Sequence, residues 1–141
     1  MKTKVPTFFW FIASIALLWN LMGCASYVSM QLMSPEALEA LSEAERNVFL
    51  STPTWVTAAF AIAVWFGLLG CILLLLRKAA AHPIFVISLL GIMVEQIWNF
   101  TVGNALEVHG AEHVILPITV FLIGIYLIVF TKKAKANNWI N

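Results

Sequence analysis

A single acidic side chain, Glu95, lies in the middle of an apolar stretch, GIMVEQIWNF, within a segment long enough to cross a membrane. The other acidic residues lie in polar connections between apolar segments. A carboxylate inside a bilayer is costly, so it must be protonated, paired or facing water, and such residues mark ion, proton or solute sites. Because no Lys, Arg or His lies within an apolar segment, the sequence favours a neutral, proton-bearing carboxyl at Glu95.

Small and polar residues recur every three or four positions along the predicted helix that carries Glu95. They form one face of that helix and are Ser88, Gly91, Asn99 and Gly103. Asn20 lies at a similar depth in the first apolar segment when depth is counted by helical rise, so we expect it to approach Glu95. The residues of the predicted intramembrane binding site are Glu95, Asn99, Asn20, Gln96 and Ser88.

Two interpretations of this site remain open on the sequence alone. In the functional one, Glu95 exchanges a proton or binds a cation or a solute. In the structural one, it is a neutral carboxyl that hydrogen-bonds to Asn20, Asn99 or Gln96. The sequence contains no phosphate-binding glycine loop, nucleophile elbow or haem-ligating histidine pair within a span. We therefore expect no enzymatic activity and no organic cofactor.

Residues 107–113 hold a second group of chemically active side chains, in a polar connection. His109, Glu112 and His113 match H-x-x-E-H, the inverted zinc-protease pattern, and Glu107 is the nearest upstream carboxylate. That motif needs a third ligand, commonly a carboxylate further along, and no acidic residue follows Glu112. The connection is therefore either an ordinary polar loop or a divalent-metal site with ligands His109, His113, Glu112 and Glu107.

Long apolar segments must position both groups. The chain has 141 residues, 62% hydrophobic and 11% charged, whereas soluble domains carry about 25% charged residues. The shortfall comes from apolar segments at 7–33, 54–76, 83–104 and 114–131, each with about the 20 residues that cross ~30 Å of hydrocarbon. The sequence therefore predicts one all-α membrane domain over residues 1–141, a bundle of four transmembrane helices in contact with the lipid bilayer.

Charges are divided between the two ends of this bundle. Acidic residues lie in the first and third connections, together with Arg46. The basic residues of the N-terminus, the second connection and the C-terminus are Lys2, Lys4, Arg77, Lys78, Lys132, Lys133 and Lys135. With four spans these three regions share one side, so the positive-inside rule places both termini in the cytoplasm. So short a basic tail does not predict nucleic-acid binding.

The first connection, 34–53, has the capping residues of two short helices. Ser34 precedes Pro35 and Glu36, which is typical of a helix start. Ser42 and Glu45 match a capping box. We expect short helices on the outer membrane surface, which serve either as a lid or as a solvated linker.

The stretch at 21–24, Leu-Met-Gly-Cys, resembles a lipoprotein cleavage site. Trp19 and Asn20 interrupt the apolar run before it, and hydrophobicity continues to Met33, so we expect an uncleaved span. Cys24 and Cys71 are the only cysteines. Helical rise places them at different depths, beyond disulfide reach, so we expect both to be small packing residues.

The first two segments also carry faces of small residues. Their members are Ala13, Ala16, Asn20 and Gly23 on the first segment and Ala59, Ala63, Gly67 and Gly70 on the second. Such faces allow close contact between membrane helices. Because four short helices form only a thin wall around a transport path, we expect a homo-oligomer.

Three stretches resemble a group of small four-span bacterial inner-membrane proteins that are often labelled sugar transporters. They are LLWNLMG, MSPEALEALSEAER and STPTWVTAAFAIAVWFGLLGCILLLLRK, and the resemblance is best up to Lys78. It implies a bacterial inner-membrane location and carries no catalytic motif with it.

Two hypotheses from different classes follow. The first is a transporter or channel for a small, sugar-like solute, with Glu95, Asn20 and Asn99 lining its polar site. The second is a non-transporting scaffold or accessory subunit that binds a partner protein or lipid through the same faces. A metal-binding membrane protein that acts through residues 107–113 is the remote alternative.

Overall fold

A computed structural model describes residues 4–102, 107, 110 and 114–141 of the chain. The described residues form six helices: α1 (Thr7–Gln31), α2 (Pro35–Glu39), α3 (Glu43–Ser51), α4 (Thr54–Leu75), α5 (Ala81–Thr101) and α6 (Ile115–Ala136). Four of them, α1, α4, α5 and α6, are long and apolar enough to cross a membrane. The prediction of an all-α membrane bundle with four spanning helices is confirmed.

The four long helices pack in chain order. The most extensive interface joins α4 to α5, because the short connection 76–80 makes them antiparallel neighbours; α1 packs on α4, and α6 packs on α5. The end that holds this connection and both terminal segments is called the basic end. Among the described residues, its Lys and Arg side chains are Lys4, Arg77, Lys78, Lys132, Lys133 and Lys135. The opposite end, which holds α2 and α3, is called the acidic end.

Most helix boundaries differ by one to five residues from the predicted spans, and two of these differences have a local cause. Helix α5 begins at Ala81, two residues before the predicted start at Pro83. Proline is tolerated there because the first turn of a helix has no partner for its N–H groups. Helix α6 continues to Ala136, so Lys133 and Lys135 lie in its last turn, where positive charge is favourable. The predicted end of the third span, 103–104, lies outside the described residues.

A hydrophobic core closes the basic end, and all four long helices contribute to it. Its buried members include Phe9 of α1, Leu74 of α4, Phe85 of α5 and Phe130 of α6. The rings of Phe9 and Phe130 stack with centroids 5.8 Å apart. This contact joins α1 directly to α6.

The C-terminal residues cover this core. Helix α4 ends at Leu75, and Arg77, two residues further on, has a left-handed φ of 58°. Lys78 N–H donates to the Leu73 carbonyl at 2.8 Å, which makes this a Schellman ending. A non-glycine residue in that conformation costs about 1 kcal/mol or more. The guanidinium of Arg77 donates to the Trp139 carbonyl at 2.7 Å, and the Trp139 ring packs edge-on against Phe9. The segment after α6 is thereby fixed to both α1 and the 76–80 connection.

The short helices of the acidic end form where their capping residues predict them. The Ser34 hydroxyl accepts a hydrogen bond from Ala37 N–H at 3.1 Å, which caps α2. Ser42 and Glu45 exchange reciprocal side-chain to backbone bonds, both 3.1 Å long, which form the capping box of α3. The prediction of short helices in this connection is confirmed.

Arg46 of α3 holds the two short helices together. Its guanidinium donates to the carbonyls of Leu38, Glu39 and Leu41 at 3.0–3.3 Å. Leu38 and Glu39 belong to the last turn of α2 and Leu41 follows it, where helical N–H partners run out. The Leu38 carbonyl also accepts a bond from Leu41 N–H at 3.2 Å. The single basic residue of this acidic connection therefore caps α2 from α3, so the two helices form one structural unit.

The small-residue faces pack within the chain. Ala13, Ala16, Ala59, Ala63 and Ser88 are each 7% exposed or less, where α1 meets α4 and α4 meets α5. Their burial accounts for the close approach of these helices. Because the faces are occupied inside one chain, they no longer support a homo-oligomer, which stays a prediction.

Replacing Gly91 with Ala is expected to destabilise the bundle by about 1–3 kcal/mol, the usual cost of overpacking. A Cβ at Gly91 would lie 2.7 Å from the Ala59 carbonyl oxygen and 2.9 Å from the Ala63 nitrogen, which are rigid backbone atoms of α4. Reversible unfolding in mixed micelles measures the change. Gly23→Ala is the control, because its Cβ would meet only the Val64 side chain at 3.3 Å. Equal effects of the two variants would refute the argument.

Candidate functional site

A cavity of about 590 Å³ lies among the four long helices. Toward the basic end it stops at Phe85 and Leu127, which belong to the hydrophobic core. Toward the acidic end its wall includes Val48 of α3, Gly110 and Val114. The cavity is therefore closed at the basic end and extends to the acidic end.

The cavity exists because α1 and α6 separate above the core. Helix α1 packs mainly on α4, and helix α6 packs mainly on α5. The wall includes Met22 of α1 and Leu116 of α6, which are 66% and 63% exposed. Because each of them lies both in the cavity wall and at the exposed surface, we infer a lateral opening of the cavity between α1 and α6.

All five residues of the predicted intramembrane site lie in the wall of this cavity: Asn20, Ser88, Glu95, Gln96 and Asn99. They divide into two groups at different depths. Glu95, Gln96 and Asn99 lie nearer the acidic end, and Asn20 and Ser88 lie nearer the core.

The outer group consists of three half-buried side chains on α5. Asn99 Nδ2 donates to Glu95 Oε1 at 3.1 Å, since residues four apart lie on one helix face. Gln96 Nε2 donates to the Pro117 carbonyl at 2.8 Å, which links α5 to α6. Asn99 thus orients the carboxylate, and Gln96 fixes the wall beside it.

The inner group surrounds Gly67 of α4. Asn20 Nδ2 donates to the Ala16 carbonyl at 2.9 Å and to Cys71 Sγ at 3.3 Å. Ser88 Oγ donates to the Ala63 carbonyl at 2.6 Å. The Asn20 and Ser88 oxygens both lie against the space that a Cβ at Gly67 would occupy. The bond from Asn20 to Cys71 joins α1 to α4, and the bond from Ser88 to Ala63 joins α5 to α4.

The expected approach of Asn20 to Glu95 at equal depth is wrong. Asn20 is level with Cys71 and Ser88, and Glu95 lies two helical turns further along α5, about 10 Å away. Asn20 is about four turns into α1, whereas Cys71 is about one turn from the end of α4. Helix α1 therefore extends beyond α4 at the basic end. The predicted depth of Asn20 was wrong because helical rise was counted as if the helices began at the same level.

Glu95 is the single ionisable side chain among the described residues of the cavity wall. Its carboxylate has one hydrogen-bond donor in the described part of the chain, Asn99. No buried side-chain oxygen or nitrogen of the described residues lacks a partner. The second carboxylate oxygen, Oε2, is therefore not fully buried in packed protein.

Aromatic rings from three helices complete the wall. Trp19 of α1, Phe60 of α4 and Phe100 of α5 all line the cavity and are half-buried. Two other tryptophans, Trp65 and Trp98, also lie well inside apolar segments of the sequence. Trp98 is buried, whereas Trp65 is 43% exposed on the outside of the bundle. Of these three indoles, only Trp19 is part of the cavity.

Sequence reasoning missed two parts of the site. Gly67 was assigned to a helix-packing face, yet its missing side chain leaves room for Asn20 and Ser88. Val48 lies on one of the short helices that were predicted to rest on the outer membrane surface, yet it reaches the cavity wall. The apolar residues of this connection, among them Leu38, Val48 and Phe49, were the only sequence signal for it.

The predicted cysteine roles agree with the structure. Cys24 and Cys71 are free and buried, and Cys24 Sγ donates to the Val64 carbonyl at 3.3 Å. Both thiols lie where α1 meets α4.

The candidate metal ligands lie largely outside the described residues. His109, Glu112 and His113 are not among them, and Glu107 is described as exposed. Within the described part of the chain, no three His, Cys, Asp or Glu side chains form a group that could hold a metal ion. The metal site at 107–113 stays a prediction.

The comparison with known proteins gives no family. No protein-family model, curated protein or solved structure matches this chain. The resemblance to small four-span bacterial proteins therefore stays a prediction, and the functional argument depends on the cavity.

Proposed function

We propose that the chain is a carrier that binds a small organic solute beside Glu95 and moves it across a bacterial inner membrane. The observation behind this proposal is the cavity of about 590 Å³ between apolar helices, with a half-buried carboxylate in its wall. Small-molecule sites typically have volumes of about 300–1,000 Å³. Ionisable residues inside membrane bundles usually line a path for ions or solutes.

The closed basic end favours a carrier over a permanently open channel. Phe9, Leu74 and Phe130 fill the bundle on that side and leave no space for a continuous path. A carrier would bind solute from the acidic end and then separate α1 from α6 at the core. With both termini in the cytoplasm, as the positive charges predict, the cavity would face the outside.

The lateral opening favours one alternative function. Exposed Met22 and Leu116 would accept an apolar helix of a partner protein or a lipid chain. In that case the chain would be an accessory subunit without transport activity. Transport measurements distinguish the two functions.

Blocking the cavity tests the proposed site. Ser26 is exposed on α1 and lines the outer part of the wall, so Ser26→Trp should fill the entrance with little cost to folding. Ala25→Trp is the matched control, because Ala25 is equally exposed and lies outside the wall.

The assay is thermal unfolding with a sugar, an amino acid, an aromatic amine or an aromatic carboxylate. A ligand at about 100 times its dissociation constant adds ~2.7 kcal/mol to the stability of the folded protein. We expect one class to stabilise the wild type and Ala25→Trp but not Ser26→Trp. Equal stabilisation of both variants, or none by any class, would remove the cavity as a solute site.

A further inference from the structure

The charge in the cavity selects among solute classes. Glu95 is the only ionisable group in the described wall, and no described basic side chain lines it. Without a solute, the apolar surroundings favour the neutral, protonated form of Glu95. A cation would pair with the ionised form and so favour it, and such a pair strengthens as water is excluded. An anionic solute would meet repulsion from the ionised form, and a neutral solute would form no charge pair with either form.

The hydrogen-bonding groups of the wall are poorly suited to a sugar. A sugar needs many donors and acceptors, but four side-chain donors of the wall already bond within the protein, one of them Asn99, which donates to Glu95 Oε1. Asn20 donates to Ala16 and Cys71, Ser88 donates to the Ala63 carbonyl, and Gln96 donates to the Pro117 carbonyl. Among the described polar groups of the wall, only the Glu95 carboxyl can carry a charge.

The aromatic rings supply the second recognition element. Trp19, Phe60 and Phe100 present three rings from three helices to the same cavity as Glu95. An aromatic ring attracts a cation through the negative potential of its face, and tryptophan does so most strongly. Rings together with one carboxylate are the chemistry that recognises an organic ammonium ion.

We infer that the solute is a lipophilic organic cation, an aromatic amine or quaternary ammonium ion, whose charge lies against Glu95 and whose apolar part contacts the rings. This inference rests on the proposed solute site. The lateral opening at Met22 and Leu116 provides entry from the lipid for such a molecule.

Three probes that share a benzyl group test the inference. They are benzyltrimethylammonium, phenylmethanesulfonate and benzyl alcohol, which are cationic, anionic and neutral. Binding to the purified chain in micelles is measured by tryptophan fluorescence and calorimetry, with protein-free micelles subtracted. We expect the cation to bind at least about tenfold more tightly than the anion and the alcohol, because one partly screened charge pair contributes enough binding free energy for that ratio.

Two variants complete the test. Glu95→Gln should remove the preference for the cation, whereas Glu39→Gln, at an exposed surface position, should keep it. Equal affinity for the cation and the anion in the wild type would overturn the inference, even if Glu95→Gln did not fold. An unchanged preference in a folded Glu95→Gln variant would overturn it too.

The failure of this inference is distinguishable from the failure of the proposed function. If benzyl alcohol binds as well as the cation, and Ser26→Trp abolishes both, the cavity binds solutes but does not select cations. If none of the three probes binds, or if Ser26→Trp has no effect on binding, the cation inference is refuted. If the probes bind and Ser26→Trp has no effect on that binding, the cavity is not the site at which the probes bind.

Discussion

Proteoliposomes that contain the Glu95→Gln variant are expected to take up benzyltrimethylammonium at least about tenfold more slowly than those that contain the wild type. Glutamine keeps the size of the side chain and can still hydrogen-bond with Asn99, so the packing of α5 should change little. The variant loses the negative charge of Glu95, and no other described residue of the cavity wall supplies one. The effect should therefore be on solute affinity and movement, not on folding.

Uptake of the labelled cation at fixed protein density measures this effect, and Glu39→Gln is the control for loss of a carboxylate at the exposed acidic end. Full retention of uptake by Glu95→Gln would exclude a charged or titrating role for Glu95. Loss of the folded protein instead would favour the structural interpretation, in which the carboxyl bonds to Asn99 and stabilises the bundle.

The same charge sets the direction of the pH dependence. Protonation removes the negative charge of Glu95, so acidification on the side to which the cavity opens should weaken binding of the cation. No other ionisable side chain of the described wall, on α1, α4, α5 or α6, opposes or reinforces this change. The cation and the proton would then compete for one carboxylate.

The spans and short helices were predictable because their causes are local. Uncharged runs of sufficient length predict membrane helices, and α1, α4, α5 and α6 agree with them within a few residues at most boundaries. Ser34, Ser42 and Glu45 cap their helices through bonds to residues three positions away. Neither result depends on how the helices pack.

The relative depth of Asn20 and Glu95 was not predictable from helical rise. Rise counts distance along one helix and carries no information about where that helix starts relative to its neighbours. Helix α1 projects past α4 because Phe9 packs against Phe130 and Trp139, which are distant in sequence. That contact places Asn20 nearer the basic end, at the same depth as Cys71.

The cavity itself also arises from tertiary packing. The polar face of α5 was visible in the sequence, but its exposure to a cavity depends on the separation of α1 from α6. The small-residue faces predicted close contacts without specifying partners. The structure places them between helices of one chain, and some of their members, among them Asn20, Ala63 and Ser88, also line the cavity together with Glu95, Asn99 and the aromatic rings.

Fixing α1 to the segment after α6 is expected to abolish transport while leaving solute binding intact. The rings of Phe8 and Trp139 lie edge to face with centroids 5.5 Å apart, directly over the core that closes the basic end. If the chain is a carrier, α1 must move away from this segment before solute can leave on that side. Binding from the acidic end requires no such movement.

The experiment joins Phe8→Cys to Trp139→Cys with a reducible bis-maleimide, in a background that carries Cys24→Ala and Cys71→Ala. Phe8 is 47% exposed, so its replacement should react and should disturb the core little. Benzyltrimethylammonium binding and uptake are measured before linkage, after linkage and after reduction. The single variant Phe8→Cys, treated with the same reagent, controls for modification without linkage.

The pattern of results separates the two functions. Uptake that is lost on linkage and restored by reduction, with binding unchanged, requires that the basic end opens during transport. Uptake that continues through the linked protein would show that solute does not pass between α1 and the C-terminal segment, and the carrier mechanism would be wrong. Binding without uptake in the unlinked protein would instead favour the accessory subunit. A cavity that Phe9, Leu74 and Phe130 close at one end can bind a ligand without releasing it on the other side of the membrane.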